Sequence, residues 1–467
     1  MIGFTRRIGA LAVAAGLAFA PAASAETLTD ALIAAYQNSH LLDQNRALLK
    51  AADEDVAVAV SKLRPVVSFA INSTYNATQT TRRDFLTGNP IPVTNESLST
   101  GADLTWQMTF WDFGRGELAV ASVKETVLAT RAALVDLEQR VLIAAVQAYA
   151  NVWLSSEIVA LRQNNLRLIT QELRAAQDRF DVGEITRTDV AQAEARLAAS
   201  KAELVSAEGD LMMARESYKA ATGAYPGRLQ GFPASPKLPA NLQEAVRIAQ
   251  GTHPSLRQAQ HQTAAADINV AAAEAQLKPT LNGTAVVGLQ PEGVTSESFR
   301  LSFNQTLYAG GQLKAFVRRA KAYRDAQRAN LHQAARQVEQ AVGNAWANLT
   351  VAQASLLATA DQIKAAQTAF DGAREEAKLG ARTTLDVLNA EQELLDARAN
   401  RISAEANRAY GVYVVLQNMG LLTVEHLGLG IPTYDVSGYY NLVKDAPVGR
   451  RSSQAEALDR VMKAIGN

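Results

Sequence analysis

Four segments of the chain alternate between apolar and hydrophilic positions. In the first, Val67, Phe69, Ile71 and Tyr75 interleave with Ser68, Ala70, Asn72 and Thr74. In the second, Leu98, Leu104, Trp106, Met108 and Phe110 interleave with Ser99, Asp103, Thr105, Gln107 and Thr109. Later, Leu281, Ala285, Val287 and Leu289 alternate with Asn282 and Thr284, and Phe299, Leu301, Phe303 and Leu307 with Arg300, Ser302, Asn304 and Thr306. Successive side chains of a strand point to opposite faces, so this period of two predicts strands at about 66–77, 98–110, 281–289 and 299–308. Each has one apolar and one hydrophilic face.

Elsewhere the apolar spacing is helical. Residues 115–182 hold no proline and, beyond Gly116, no glycine. They predict one helix about 100 Å long at 1.5 Å per residue, and residues 312–379 predict a second. A helix of that length must lie against others as a coiled coil or helical wall. Gly183 and Gly380 follow these helices where a left-handed cap favours glycine, and return helices are predicted at 186–221 and 383–418. Each half opens with a helix (28–62 in the first) that Pro65 or Pro279 ends. At about half the long helix each, two short helices would stack end to end beside one long one.

The pattern occurs twice. Phe110-Trp111-Asp112-Phe113-Gly114 recurs as Leu307-Tyr308-Ala309-Gly310-Gly311, and the 183–190 turn recurs at 380–387, both at an offset of 197. Leu28 pairs with Leu242 and Pro65 with Pro279 at an offset of 214, which predicts a longer loop between Pro65 and Gly114 in the first copy. One half-domain is therefore used twice, at 26–222 and 241–430. Residues 223–240, with Pro226, Pro233, Pro236 and Pro239, read as an irregular crossing segment. In the tail, 431–467, residues 453–465 could form a short amphipathic helix, and most of the tail is expected to be mobile.

Arg6 and Arg7, an apolar run from Ile8 to Phe19 and Ala23-Ser24-Ala25 read as a signal peptide over 1–25, with Glu26 the first mature residue. There are no cysteines, which excludes disulfides, thiolate metal sites and a lipid-modified N-terminal cysteine. Lysine plus arginine equals aspartate plus glutamate at 46 each, so no net field points to nucleic acid. Five scattered histidines and the absence of H-E-x-x-H, G-x-S-x-G and P-loop motifs leave no candidate for catalysis, cofactor or metal. A soluble half-buried sheet would alternate as these strands do. Export, and aromatics near the strand ends (Tyr75, Trp111, Phe299, Tyr308), favour a membrane barrel. Four strands cannot close in lipid, where unpaired backbone groups cost several kcal/mol each. Two chains are then a minimum, and three would give twelve strands.

On these features the chain resembles the TolC family of outer-membrane channels. The likeness covers about residues 26–430. It rests on the duplicated layout, Leu63-Arg64-Pro65 and Leu277-Lys278-Pro279 before the strands, Tyr308-Ala309-Gly310-Gly311 after them, and Arg179-Phe180-Asp181-Val182-Gly183 followed by Thr188-Asp189-Val190. Leu379-Gly380 followed by Asp386-Val387-Leu388 completes it. The resemblance implies an α+β membrane protein, a homotrimer whose twelve-stranded barrel in outer-membrane lipid continues into a periplasmic helical tunnel. It also implies docking on a periplasmic membrane-fusion adaptor and an inner-membrane ABC transporter or proton-driven pump. Lacking a lipidation cysteine, the chain is similar to the branch in which type I protein secretion is common, and Tyr434-Asp435 is similar to secretion-type tails. Small-molecule efflux is the alternative.

The far end of the tunnel then falls at 183–190 and 380–389. Asp189 and Asp386 are equivalent, so a trimer would set six carboxylates around one mouth, with Arg187 and Arg382 near enough in sequence to hold it shut. The resemblance implicates Arg382 and Asp386 in closure; it also shows Asn389 where the prototype has an aspartate and Ala377 where it has a tyrosine. Capping is the competing role, because Thr186-Arg187-Thr188-Asp189 and Thr383-Thr384-Leu385-Asp386 both fit a helix capping box. Gly114 and Gly311 mark the strand-to-helix turns.

Overall fold

The structure, a computed structural model, describes residues 25–86, 88–289, 294–446 and 460–461. The predicted signal peptide, save its last residue, and the predicted tail helix, save residues 460 and 461, lie outside that range. The chain runs α1 (Leu28–Gln37), α2 (His40–Ser61), β1 (Val66–Arg83), β2 (Pro90–Trp111), α3 (Arg115–Asp181) and α4 (Arg187–Thr222). The second copy follows as α5 (Leu242–Thr252), α6 (Pro254–Ala275), β3 (Thr280–Leu289), β4 (Thr295–Asn304), α7 (Gln312–Lys378) and α8 (Thr384–Asn418), and α9 (Gly438–Val443) follows both. The long helices α3 and α7 have 67 residues each.

The four strands form one antiparallel sheet in sequence order. Its register stacks the apolar positions into one face: Phe69 pairs with Leu104, Leu104 with Val287, Ala285 with Phe299 and Gly283 with Leu301. Asp103, Thr105, Thr284 and Arg300 lie on the opposite face. Phe69, Ile71, Leu104, Phe299, Leu301 and Phe303 are all exposed in the single chain.

Four expectations are corrected. The extra residues of the first copy form paired strand, not loop: β1 and β2 have 18 and 22 residues against 10 each for β3 and β4. The last β2–β3 pair is Ala102 with Leu289, so β2 beyond it is paired to β1 alone, and a two-stranded ribbon projects past the sheet. Pro90 and Pro92 remove two N–H donors from that ribbon, a feature of unpaired edges. In the second copy β4 stops at Asn304, leaving Leu307 and Tyr308 in the turn before α7.

The opening helices are each broken in two. Ser39 caps α2, its hydroxyl accepting from the Leu42 N–H at 3.3 Å, and the Asn38 amide reaches Thr222 O at 2.7 Å. In the second copy Pro254 starts α6 and the Thr252 hydroxyl donates to Met419 O at 2.6 Å. Each break is thus the seat on which the end of a return helix rests. Tyr36, Leu142, Val146, Tyr149, Tyr218 and Leu416 form the main core around this level.

The tail from Ile431 to Ala446 is not loose. Arg46 lies over the rings of Tyr36 and Tyr434 at 5.1 and 5.4 Å, and Arg131 over Tyr440 at 4.9 Å. The Tyr439 hydroxyl donates to Glu54 at 2.5 Å, and Arg64 donates to the carbonyls of Asp445 and Ala446. The segment is strapped along α2 toward the sheet.

Candidate functional site

At the end away from the sheet, α3 turns into α4 and α7 into α8. Gly183 and Gly380 sit at φ of 80° and 77°, the left-handed conformation that closes each long helix. The N–H of Glu184 returns to Arg179 O and that of Ala381 to Glu376 O, both at 2.9 Å. Gly114 and Gly311, likewise left-handed, start α3 and α7 at the other end.

Both predicted capping boxes are formed. The Asp189 carboxylate accepts from the Thr186 N–H at 2.9 Å and hydroxyl at 2.7 Å; the Asp386 carboxylate accepts from the Thr383 N–H at 3.0 Å and hydroxyl at 2.8 Å. These threonine hydrogen bonds, hydroxyl first, hold both carboxyls below the ordinary aspartate value. Within the chain, among the described residues, neither arginine is ion-paired to an aspartate. Arg382 instead meets Glu376 at 2.8 Å. Arg187 has no ion pair among the described residues.

The two turns are clasped with opposite polarity. In the first, Arg179 on the helix bonds Glu184 in the turn at 3.1 Å; in the second, Glu376 on the helix bonds Arg382 in the turn. Arg179 and Glu376 are equivalent in the repeat, but their partners are not, because Glu184 matches Ala381 and Arg382 matches Ile185; each copy clasps its turn with a different pair.

Asn389 accepts from Arg196 of α4 at 3.2 Å, and Arg374 of α7 lies 3.6 Å from Glu172 of α3. Each contact joins one helix pair to the other. Between them Glu391 is 3% exposed, and neither of its carboxylate oxygens has a hydrogen-bond partner. Burial, then the Glu172 charge, push its carboxyl up to about 7, against the pull of Arg196 and Arg374. Glu391 was not among the sequence-based candidates, although one signal was present. It falls at core spacing among Val387, Leu388, Leu394 and Leu395, where a carboxylate is out of pattern. Ala377 is buried and helps to line a cavity of about 300 Å³ with Glu172, Arg179 and Arg374.

The arrangement offers helix termini and ion pairs, and the described residues hold no cluster of metal-ligating side chains. No described helix is long and apolar enough to cross a membrane, whereas the large apolar side chains of the four strands gather on one face of the sheet. Barrel strands joined to helices about 100 Å long define the protomer of an outer-membrane channel with a periplasmic tunnel.

The sequence matches the family described as outer membrane efflux protein over residues 32–224 and 245–411, one match to each repeat, and the chain belongs to that family. It is 36% identical to the outer membrane efflux protein BepC of Brucella suis, over 92% of this chain and 93% of that one. It is 25% identical to the outer membrane protein TolC of Escherichia coli, over 80% of each. The solved structure of the Campylobacter jejuni CmeC outer membrane channel has the same fold, with a TM-score of 0.75, 15% identity and coverage of 90% and 89%.

Proposed function

We propose that this chain, as a homotrimer, is the exit duct of a tripartite efflux system. It passes small molecules received from an adaptor-bound inner-membrane transporter and performs no chemistry of its own. The observation that carries the reading is the joining of open barrel strands to two long helices in each chain. Such a sheet needs copies of itself to close, and the closed assembly is continuous from lipid to the helical tip. The sequence expectation leaned to protein secretion, which Tyr434-Asp435 and the missing lipidation cysteine still favour as a second reading. Identity to BepC across nearly the whole chain gives efflux the greater support.

The test is a deletion strain complemented with the chain. Raised dye and drug accumulation on deletion, reversed by complementation, with an unchanged set of proteins in the medium, is the expected result. Loss of a secreted protein with unchanged accumulation would replace efflux with secretion.

A further inference from the structure

At the tip, four helices bring charges to one buried point. Glu391 of α8 is enclosed, its oxygens unbonded. The charges that act on it are Glu172 from α3, Arg196 from α4 and Arg374 from α7. Both arginines are engaged elsewhere, Arg196 with Asn389 and Arg374 with Glu172. As a neutral acid Glu391 fits this packing. As an anion it is a desolvated charge facing another carboxylate, a state strongly disfavoured unless it finds water or a cation. It gains water only if the α3/α4 pair parts from the α7/α8 pair. Capturing Arg374 would have the same effect, because Glu172 on α3 would lose its partner across the divide.

We propose that Glu391 is a proton-operated latch between the two helical hairpins of the tip: protonated, it lets them lie together, and ionised, it drives them apart. The sign follows from linkage. In the packed arrangement the carboxyl titrates at about 7, and once hydrated it returns towards its ordinary 4.5. Between those values the packed form holds a proton that the parted form has lost, so acid favours packing, by up to about tenfold per pH unit. Above the upper value both forms are ionised and the preference is flat. Asp189 and Asp386 lie below the ordinary aspartate value and stay charged throughout this window, so they do not contribute to it.

The chain has no cysteine, so introduced ones report only where they are placed. Nitroxides on A195C (α4) and E393C (α8), both exposed positions, span the divide near Glu391. In the full-length solubilised protein, a long-distance population at pH 8 should shrink about tenfold or more by pH 5, and E391Q should show the short distance at every pH. E391L, also uncharged, should behave as E391Q and serves if the glutamine variant folds poorly. A pH response in E391Q equal to that of the wild type, or no response in the wild type, overturns the latch. Planar-bilayer conductance follows in parallel and is expected to fall on acidification only in the wild type. This arm rests on the tip being the entrance of the duct. Distances that respond while conductance does not would leave the latch standing and remove the entrance reading.

Discussion

The hydroxyl of Tyr218 donates to the carboxylate of Glu26 over 2.5 Å, tying the end of a return helix to the residue that sequence places first after signal cleavage. The other Glu26 oxygen accepts from the Gly227 N–H at 2.9 Å. The backbone of Glu26 bridges Arg228 and Gln230, and Tyr149 donates to Gln230 O at 2.6 Å. Burial pushes the Tyr149 hydroxyl up to about 12, so it remains a donor at any physiological pH. Glu26 thus holds the proline-rich crossing segment against α3 and α4 of the first copy.

Y218F should therefore cost more than an exposed tyrosine would. It strips one donor from a carboxylate that remains in place, a loss of about 1–3 kcal/mol. The denaturant midpoint of the solubilised protein should fall, and trypsin should cut faster at Arg228, which is exposed. Unchanged cleavage would mean that Glu26 does not anchor the crossing.

At the tip, capping and closure make separable predictions. T186A and T383A each remove a helix cap, worth about 1 kcal/mol, and should fray the turns measurably by hydrogen exchange. Because both aspartate values are depressed, the stability they add is present above the ordinary value of 3.8 and is lost as pH falls through the lowered one. Fraying should thus appear below pH 3.8 and be absent from neutral solution. D386A with R382S should raise single-channel conductance if the pair also closes the mouth. Arg382 is bonded to Glu376, so E376A should reproduce the R382S part of that gain.

The repeat, the long helices, the apolar face of the sheet and both capping boxes were legible because each has a local period or a fixed spacing. The helix breaks at Asn38 and His253 were not. Ser39 and Pro254 mark them locally, but what seats there, Thr222 and Met419, lies 184 and 167 residues away. The ribbon was read as a loop because its outer half is rich in Thr, Ser and Asn and lacks the alternation of a buried face. Strand pairing there rests on the backbone ladder between β1 and β2. Glu391 was legible only as a glutamate at core spacing on α8, and the packing of α3 against α8 is what makes its charge costly.

The ribbon should be dispensable for the barrel. Residues 102–111 of β2 already match β3 in length, so excising residues 76–97 and joining the strands with Asn-Gly should leave assembly and conductance intact. Heat-modifiable migration on gels and bilayer recordings check this. Failure to assemble would show that the ribbon takes part in closing the barrel.

Two glycines that match in the repeat should differ in what they tolerate. Gly223 and Gly420 both end return helices at positive φ, 91° and 76°, so an alanine at either position costs about 1–2 kcal/mol in backbone strain. Their surroundings separate them. A methyl group on Gly223 would meet the Asn38 side chain at 3.1 Å. Part of that side chain can turn away at the price of its bond to Thr222. On Gly420 the methyl would lie 2.7 Å from the Cα of His253 and 3.0 Å from its nitrogen, backbone atoms held between α5 and the proline that begins α6. Nothing there moves without shifting a helix. G420A should therefore lower the unfolding midpoint and the yield of assembled channel well below G223A, with the G223A loss exceeding that of N38A, which removes the Asn38 bond alone, by the backbone strain. Equal losses in the two alanine variants would mean that strain at φ alone sets the cost and that the α5–α6 seat yields as readily as a side chain.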